Sequence, residues 1–297
     1  MMEKEKSKVA FISVLAAIFL TSFKFVIGII TGSLGILSEA LHSGLDLVAA
    51  VITLFAVKVS NKPSDEEHHY GHGKIENFSA LVETLLLLVT CFWIIYEAIH
   101  RISSGKGLEL NTTQTIFGFI VVITSIVVDV WRSRKLMIIA KKYKSQALET
   151  DALHFSTDVW SSSVVLLGLV CVKIYEWTHL PIFFYADSVA ALIVAVIVVY
   201  VCWTLGKKAV DALLDTAPTA ESKAVKHIVK NFPGVLDYHD LKIRCSGHIL
   251  FIEATIHADA GLSLVDAHNL SETLEKRIVE YDEYAKVSIH VEPHMKH

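Results

Sequence analysis

Two eight-residue stretches share one pattern: Glu39-Ala-Leu-His42-Ser-Gly-Leu-Asp46 and Asp151-Ala-Leu-His154-Phe-Ser-Thr-Asp158. Residues four apart in a helix lie on one face, about one turn apart. Each stretch therefore offers an imidazole and a carboxylate on a single stripe. If the two stripes face each other, His42, Asp46, His154 and Asp158 converge. Two nitrogens and two oxygens at tetrahedral positions suit Zn2+, which has no d-electron geometric preference. Mg2+ and Ca2+ want all-oxygen shells of higher coordination number, and Cu(I) wants sulfur. The plainer alternative is two unrelated polar pairs hydrogen-bonded across a helix bundle, but the same spacing on two apolar segments is hard to obtain that way. Glu39 and Asp151 stand three residues before the histidines and could form an outer waiting site. For Asp151, a favourable acid in the first turn of a helix is at least as good an explanation.

These residues need elements to position them, and the composition says which. Of 297 residues 53% are hydrophobic and 20% charged, with a formal net charge of -4. That excludes a disordered chain, which needs low hydrophobicity and high net charge. With 27 basic against 31 acidic residues, nucleic acid is not a partner to expect. Cys91, Cys171, Cys202 and Cys245 lie far apart and form no CxxC pair, so neither a disulfide framework nor a cysteine zinc knuckle is indicated. About 20 apolar residues cross a bilayer as a helix, and six stretches qualify, running approximately over 9–31, 34–57, 78–99, 115–130, 154–175 and 187–205. The fourth is the shortest. A signal peptide is a poor reading of the first, because it is too long and ends in no small-x-small site.

Fourteen Lys and Arg flank the spans on one side: Lys4, Lys6, Lys8, Lys58, Lys62, Lys74, Arg132, Arg134, Lys135, Lys141, Lys142, Lys144, Lys207 and Lys208. Three flank the other, Arg101, Lys106 and Lys173. The asymmetry places both termini in the cytoplasm. Trp93, Tyr96, Trp131, Trp177 and Tyr185 near the span ends fit an aromatic belt. Glu83, Glu97 and Asp129 fall near presumed helix ends or interfaces and receive no chemistry. The chain thus reads as a six-helix transmembrane domain over 1–208 and a soluble domain over 209–297. In that tail, 221–231 has helical periodicity, 240–245 and 249–257 flank a Ser246–Gly247 hairpin turn, 263–281 is a helix with Ser263 as N-cap, and 287–291 is a last strand. The order is αββαβ.

The two HxxxD elements, with Asp65-Glu-Glu-His68-His-Tyr-Gly-His72-Gly-Lys74, Ala-Asp187-Ser at the sixth span and the αββαβ tail, resemble the cation diffusion facilitator family of divalent-metal/proton antiporters. The resemblance covers nearly the whole chain. It implies a six-helix membrane bundle with a cytoplasmic, metallochaperone-like α+β domain, and a homodimer in a lipid bilayer. His42, Asp46, His154 and Asp158 map onto the family's central transport site, and His42 resembles the more zinc-selective members. Asp65, His68 and His72 map onto a loop site; one carboxylate and two imidazoles four apart can hold zinc with a position open. Gly71-His-Gly73-Lys74 lacks the spacing and the Ser or Thr of a phosphate loop.

The tail holds eight of the fifteen histidines: His227, His239, His248, His257, His268, His290, His294 and His297. The family binds a zinc pair there, and the match carries over His239, His268 and the His290/Glu292 pair. Where relatives often have a strand His this chain has Thr255, and His257, two residues on and hence on the same strand face, substitutes. Whether His257 or His248 is the ligand is left open at this point. His294 and His297 belong to a flexible end. Lys74 and Asp215 match residues that pair bundle and tail, worth roughly 0–1 kcal/mol.

The expected activity is zinc export against proton entry, with no organic cofactor, zinc in the tail as a structural or regulatory ion, and a metal-sensing, dimerising tail. The alternatives are a membrane-anchored zinc sensor or receptor without transport, or the same fold carrying Cd2+, Fe2+ or Mn2+. An intramembrane metalloprotease would need HExxH, which the chain lacks, so an enzyme is not expected. The fourth–fifth connection, 132–144, has no histidine-rich insertion, which favours a bacterial plasma membrane.

Overall fold

The computed structural model describes residues 2–104, 112–178 and 182–295. Of the positions read above, Lys106 and His297, and the side chains of Glu97, Arg101, Lys173, Trp177, Tyr185 and Asp187, lie outside the described residues. Six long helices come first: α1 (Met2–Thr31), α2 (Leu34–Ser60), α3 (Lys74–Ser104), α4 (Thr112–Lys142), α5 (Gln146–Thr178) and α6 (Ile182–Leu213). Five are long and apolar enough to cross a membrane, while α5, which carries Asp151, His154 and Asp158, does not reach that apolarity over its described residues.

The bundle is built inside out relative to a soluble core. Large apolar side chains such as Phe19, Ile30, Phe55, Trp93, Val127 and Trp203 face outward, while Ala10, Ala17, Ala49, Ala50, Ala56, Ala80 and Ala152 are buried between helices. Lipid is as apolar as leucine, so small residues that let backbones approach drive helix association. α1 packs on α2, α4 on α5 and α3 on α6, and α2 also meets α5. At Gly32 a positive φ turns the chain. Ser33 then caps α2, its hydroxyl accepting from the Ile36 amide at 3.4 Å.

Two expectations about these helices change. The 132–144 connection is helical as far as Lys142, so α4 is 31 residues long rather than the shortest span. Hydropathy marks where a helix leaves lipid, not where it ends, and Arg, Lys, Leu and Met propagate a helix well in water. α5 likewise starts at Gln146, which puts Asp151 beyond its first turn, where Glu149 stands instead. The dipole explanation for Asp151 therefore falls.

The tail comprises α7 (Thr219–Lys230), β1 (Asp237–Ser246), β2 (Ile249–Ala258), α8 (Leu264–Tyr281) and β3 (Ala285–Pro293), the expected αββαβ order. β1 and β2 form an antiparallel hairpin; β3 returns through α8 to pair parallel with β2, giving the sheet order β1-β2-β3. Ser263 caps α8 by accepting from the Asp266 amide at 3.1 Å. Val225 and Val229 of α7 and Leu274 and Ile278 of α8 cover Ile243, Leu250, Ile252 and Ile256 of the sheet. Burying each such side chain is worth about 1.5–3 kcal/mol.

The β1–β2 turn sits against the bundle. A Cβ on Gly73 would lie 2.4 Å from the Ser246 carbonyl oxygen, so only glycine permits this approach. The Gly247 amide donates to Asn77 Oδ1 at 3.2 Å, and Lys144 Nζ meets Asp282 Oδ2 at 2.7 Å. Lys74 Nζ pairs with Asp215 Oδ1 at 3.0 Å, and Arg244 reaches the same oxygen at 3.5 Å.

Candidate metal centre

α2 and α5 bring their stripes face to face. His154 Nε2 lies 3.2 Å from Asp46 Oδ1 and 3.6 Å from Asp158 Oδ2. One donor atom each from Asp46, His154 and Asp158 fall within 4.8 Å of one another, an arrangement that could hold a metal ion. His42 stands at the edge, its Nε2 4.0 Å from Asp158 Oδ1, with its side chain 32% exposed against 3% for His154. The four side chains therefore gather at one place, three tightly and His42 a step outward.

Glu39 and Asp151 do not join in a waiting site. Lys24 Nζ donates to Glu39 Oε2 at 3.2 Å and to Ser43 Oγ at 2.8 Å. Asp151 is fully buried and accepts from Ser13 Oγ at 3.2 Å. Ser13 also accepts from Arg132 Nε at 2.7 Å, and the Arg132 guanidinium lies 3.3 Å over the Phe155 ring. Charges that received no chemistry are thus structural partners of the site. Arg132 Nη1 approaches Asp129 Oδ1 at 3.9 Å, and Glu83 accepts from Thr53 and Ser79. Lys6 and Glu76, both fully buried, pair directly near the tail. The signal for Lys24 was present in the sequence, since it is a lone ammonium inside the first span and intramembrane charges are rare and functional.

The loop cluster lies outside the bundle. Asp65 Oδ1 is 3.2 Å from His68 Nδ1, and Asp65 Oδ2 is 3.5 Å from His72 Nε2. The His68 amide, donating to Asp65 Oδ1 at 2.7 Å, holds this carboxyl below the usual carboxylate range, and the His68 ring and Glu67 amide add to it. Tyr70 packs edge-on against Phe251 of β2 with Arg244 stacked over it, so the loop is seated on the tail.

In the tail, register explains the third cluster. His257 pairs with Glu292, and His239 with Thr255 one step along the same face. His239 Nδ1 and His257 Nε2 are 3.0 Å apart, and both rings lie within 4.0 Å of Glu292 Oε2. His290 Nε2 reaches the other carboxylate oxygen at 3.6 Å. His257 thus joins His239 and Glu292 in one cluster, and His294 meets its ring edge-on. One expected member, His268, and the open alternative, His248, stand apart from this group. His268 is exposed on α8 and lies outside the group of donor atoms formed by His239, His257 and Glu292. His248 packs against Tyr284 at the bundle junction instead.

An apolar helix bundle that gathers buried carboxylates and imidazoles at its centre, followed by a small α+β domain, defines a membrane cation transporter. The cation efflux transmembrane domain family matches residues 10–214, and the cytoplasmic domain of cation efflux proteins matches residues 217–294. The chain belongs to this family, the cation diffusion facilitators, and is an integral membrane protein. It is similar to the cation-efflux pump FieF of Serratia proteamaculans, at 31% identity over 98% of this chain and 95% of that one. The cation-efflux pump FieF of Yersinia enterocolitica is 29% identical over 98% and 95%. Among solved structures, the metal-bound C-terminal domain of the CzcD transporter from Thermotoga maritima is 32% identical, covering 25% of this chain and 88% of that one with a TM-score of 0.24.

Proposed function

We propose that this cation efflux protein exports Zn2+ in exchange for protons, with His42, Asp46, His154 and Asp158 as the transport ligands. The observation that carries the reading is the convergence of Asp46, His154 and Asp158 donor atoms within 4.8 Å from two facing helices. Mixed nitrogen and oxygen donors favour zinc over the all-oxygen cations. Imidazole binds metal only when neutral, so protons and zinc compete for it. Zinc enters from the cytoplasm and displaces protons from the rings as it binds. Protons arriving from outside displace it and return inward on the same groups.

The membrane part over 1–208 moves the ion, and the part over 209–297 responds to it. Asp65, His68 and His72 form a second zinc site on the loop, and His239, His257, His290 and Glu292 a third in the tail, where zinc has a regulatory role in a homodimer. Both termini lie in the cytoplasm of a bacterial plasma membrane. Purified protein in liposomes tests the transport step: zinc uptake should accelerate when the lumen is made acidic, and uptake indifferent to the pH gradient would defeat the antiport reading. A panel of Zn2+, Cd2+, Fe2+ and Mn2+ in the same vesicles tests the preference.

A further inference from the structure

Lys24 is an odd neighbour for a cation site. It lies on α1, its side chain 6% exposed, and its ammonium meets both Glu39 and Ser43 of α2. Glu39, Ser43 and Asp46 follow one another at helical spacings of four and three on α2, so they share a face. By bridging Glu39 and Ser43, the ammonium sits about one turn from Asp46 toward the N-terminal end of α2. It acts electrostatically on both Asp46 and Asp158, more weakly than His42 and His154 do. Glu39 is nearer than Asp46 to the N-terminal end of α2, the end that the proposed topology places outside, so on that topology the lysine stands on the outward side of the cluster.

A fixed positive charge there repels a divalent ion and stabilises the carboxylates once the ion has gone. Buried carboxylates without a compensating cation are costly. We propose that Lys24 is the transport site's resident counter-cation. It offsets Asp46 and Asp158 in the metal-free carrier, and it weakens zinc binding enough to let the ion leave outward. Glu39 is the tether that keeps the ammonium from falling onto Asp46. This inference rests on the quartet being the transport site.

The test is zinc flux in proteoliposomes, with KM and kcat determined separately. Lys24→Gln should lower KM about tenfold, the factor that ~1.4 kcal/mol of removed repulsion gives, and should lower kcat by a similar factor because release slows. Lys24→Arg, which keeps the charge, should stay near wild type in both. Glu39→Gln, at a half-exposed position that folding tolerates, should move KM the opposite way, several-fold upward, because the freed ammonium leans on Asp46. An unchanged or raised KM in Lys24→Gln, or a lowered KM in Glu39→Gln, overturns the inference while leaving transport itself intact. Wild-type vesicles without zinc flux would instead remove the transport reading, and this inference with it.

Discussion

In the bundle, Asp46, His154 and Asp158 meet with side chains 3–14% exposed, whereas in the tail His239, His257 and Glu292 meet with side chains 25–45% exposed. The donor types are the same and the surroundings are opposite. Around the buried cluster the protein places further charges, Lys24, Arg132, Asp129 and Asp151, and hydroxyls such as Ser13 and Ser43. Around the exposed one it places solvent. Coulomb energies grow several-fold as the dielectric falls, so a charge gained or lost in the bundle must be answered by another charge or by a change of conformation. A charge change in the tail is answered by water. The buried cluster is thus suited to coupling ion movement to helix movement, and the exposed cluster to reading metal concentration.

That contrast can be broken most directly at Asp46. Asp46→Ala should reduce zinc flux about 100-fold or more, the scale set by loss of geometry at a reacting centre, while zinc binding to the tail stays unchanged. Flux within a few-fold of wild type would mean the buried cluster is no more special than the exposed one. His257→Ala should act the other way round. Tail affinity in a zinc titration should fall about 10- to 100-fold, the range seen for loss of even an outer-shell ligand partner, with flux at saturating zinc near normal.

The junction between the regions should respond to pH. Burial, reinforced by the Lys6 ammonium, holds the His248 imidazole below its ordinary value; Glu76 and Asp282 oppose this. The undocked turn therefore binds a proton more readily than the docked one. Docking is at full strength above about pH 6.5, the ordinary histidine value, and weakens as the pH falls toward the lower docked value. Amide protection at 246–249, taken relative to the intrinsic exchange rate at each pH, should fall between pH 7.5 and 5.5, and His248→Gln should flatten that fall. The smallest effect belongs to Lys74 and Asp215, whose side chains are 35% and 41% exposed. Lys74→Ala should cost about 0–1 kcal/mol by thermal unfolding, and a larger loss would mark the pair as a principal link between bundle and tail.

Much of this was legible residue by residue. The repeated HxxxD spacing put His42, Asp46, His154 and Asp158 on two stripes, and the period-2 relation of Thr255 and His257 already pointed to His257. Helix ends were less legible, as α4 and α5 demonstrate, because the bilayer signal stops at lipid while the helix continues into water. His268 shows the limit: a family pattern says which residue is present, but packing decides which donor atoms meet, and His268 is exposed on α8 outside the group formed by His239, His257 and Glu292.

The amino-acid sequence by itself determined the apolar spans, the αββαβ order and the donor pairs, because periodicity and hydropathy are local and each element repeats its own signal. Tertiary structure alone decided which charges answer one another. Lys24 finds Glu39 and Ser43, Arg132 finds Ser13 and Phe155, and the Ser246 turn finds Gly73. Those pairings join residues from different elements, and their strength comes from exclusion of water, which arises only once the helices have packed.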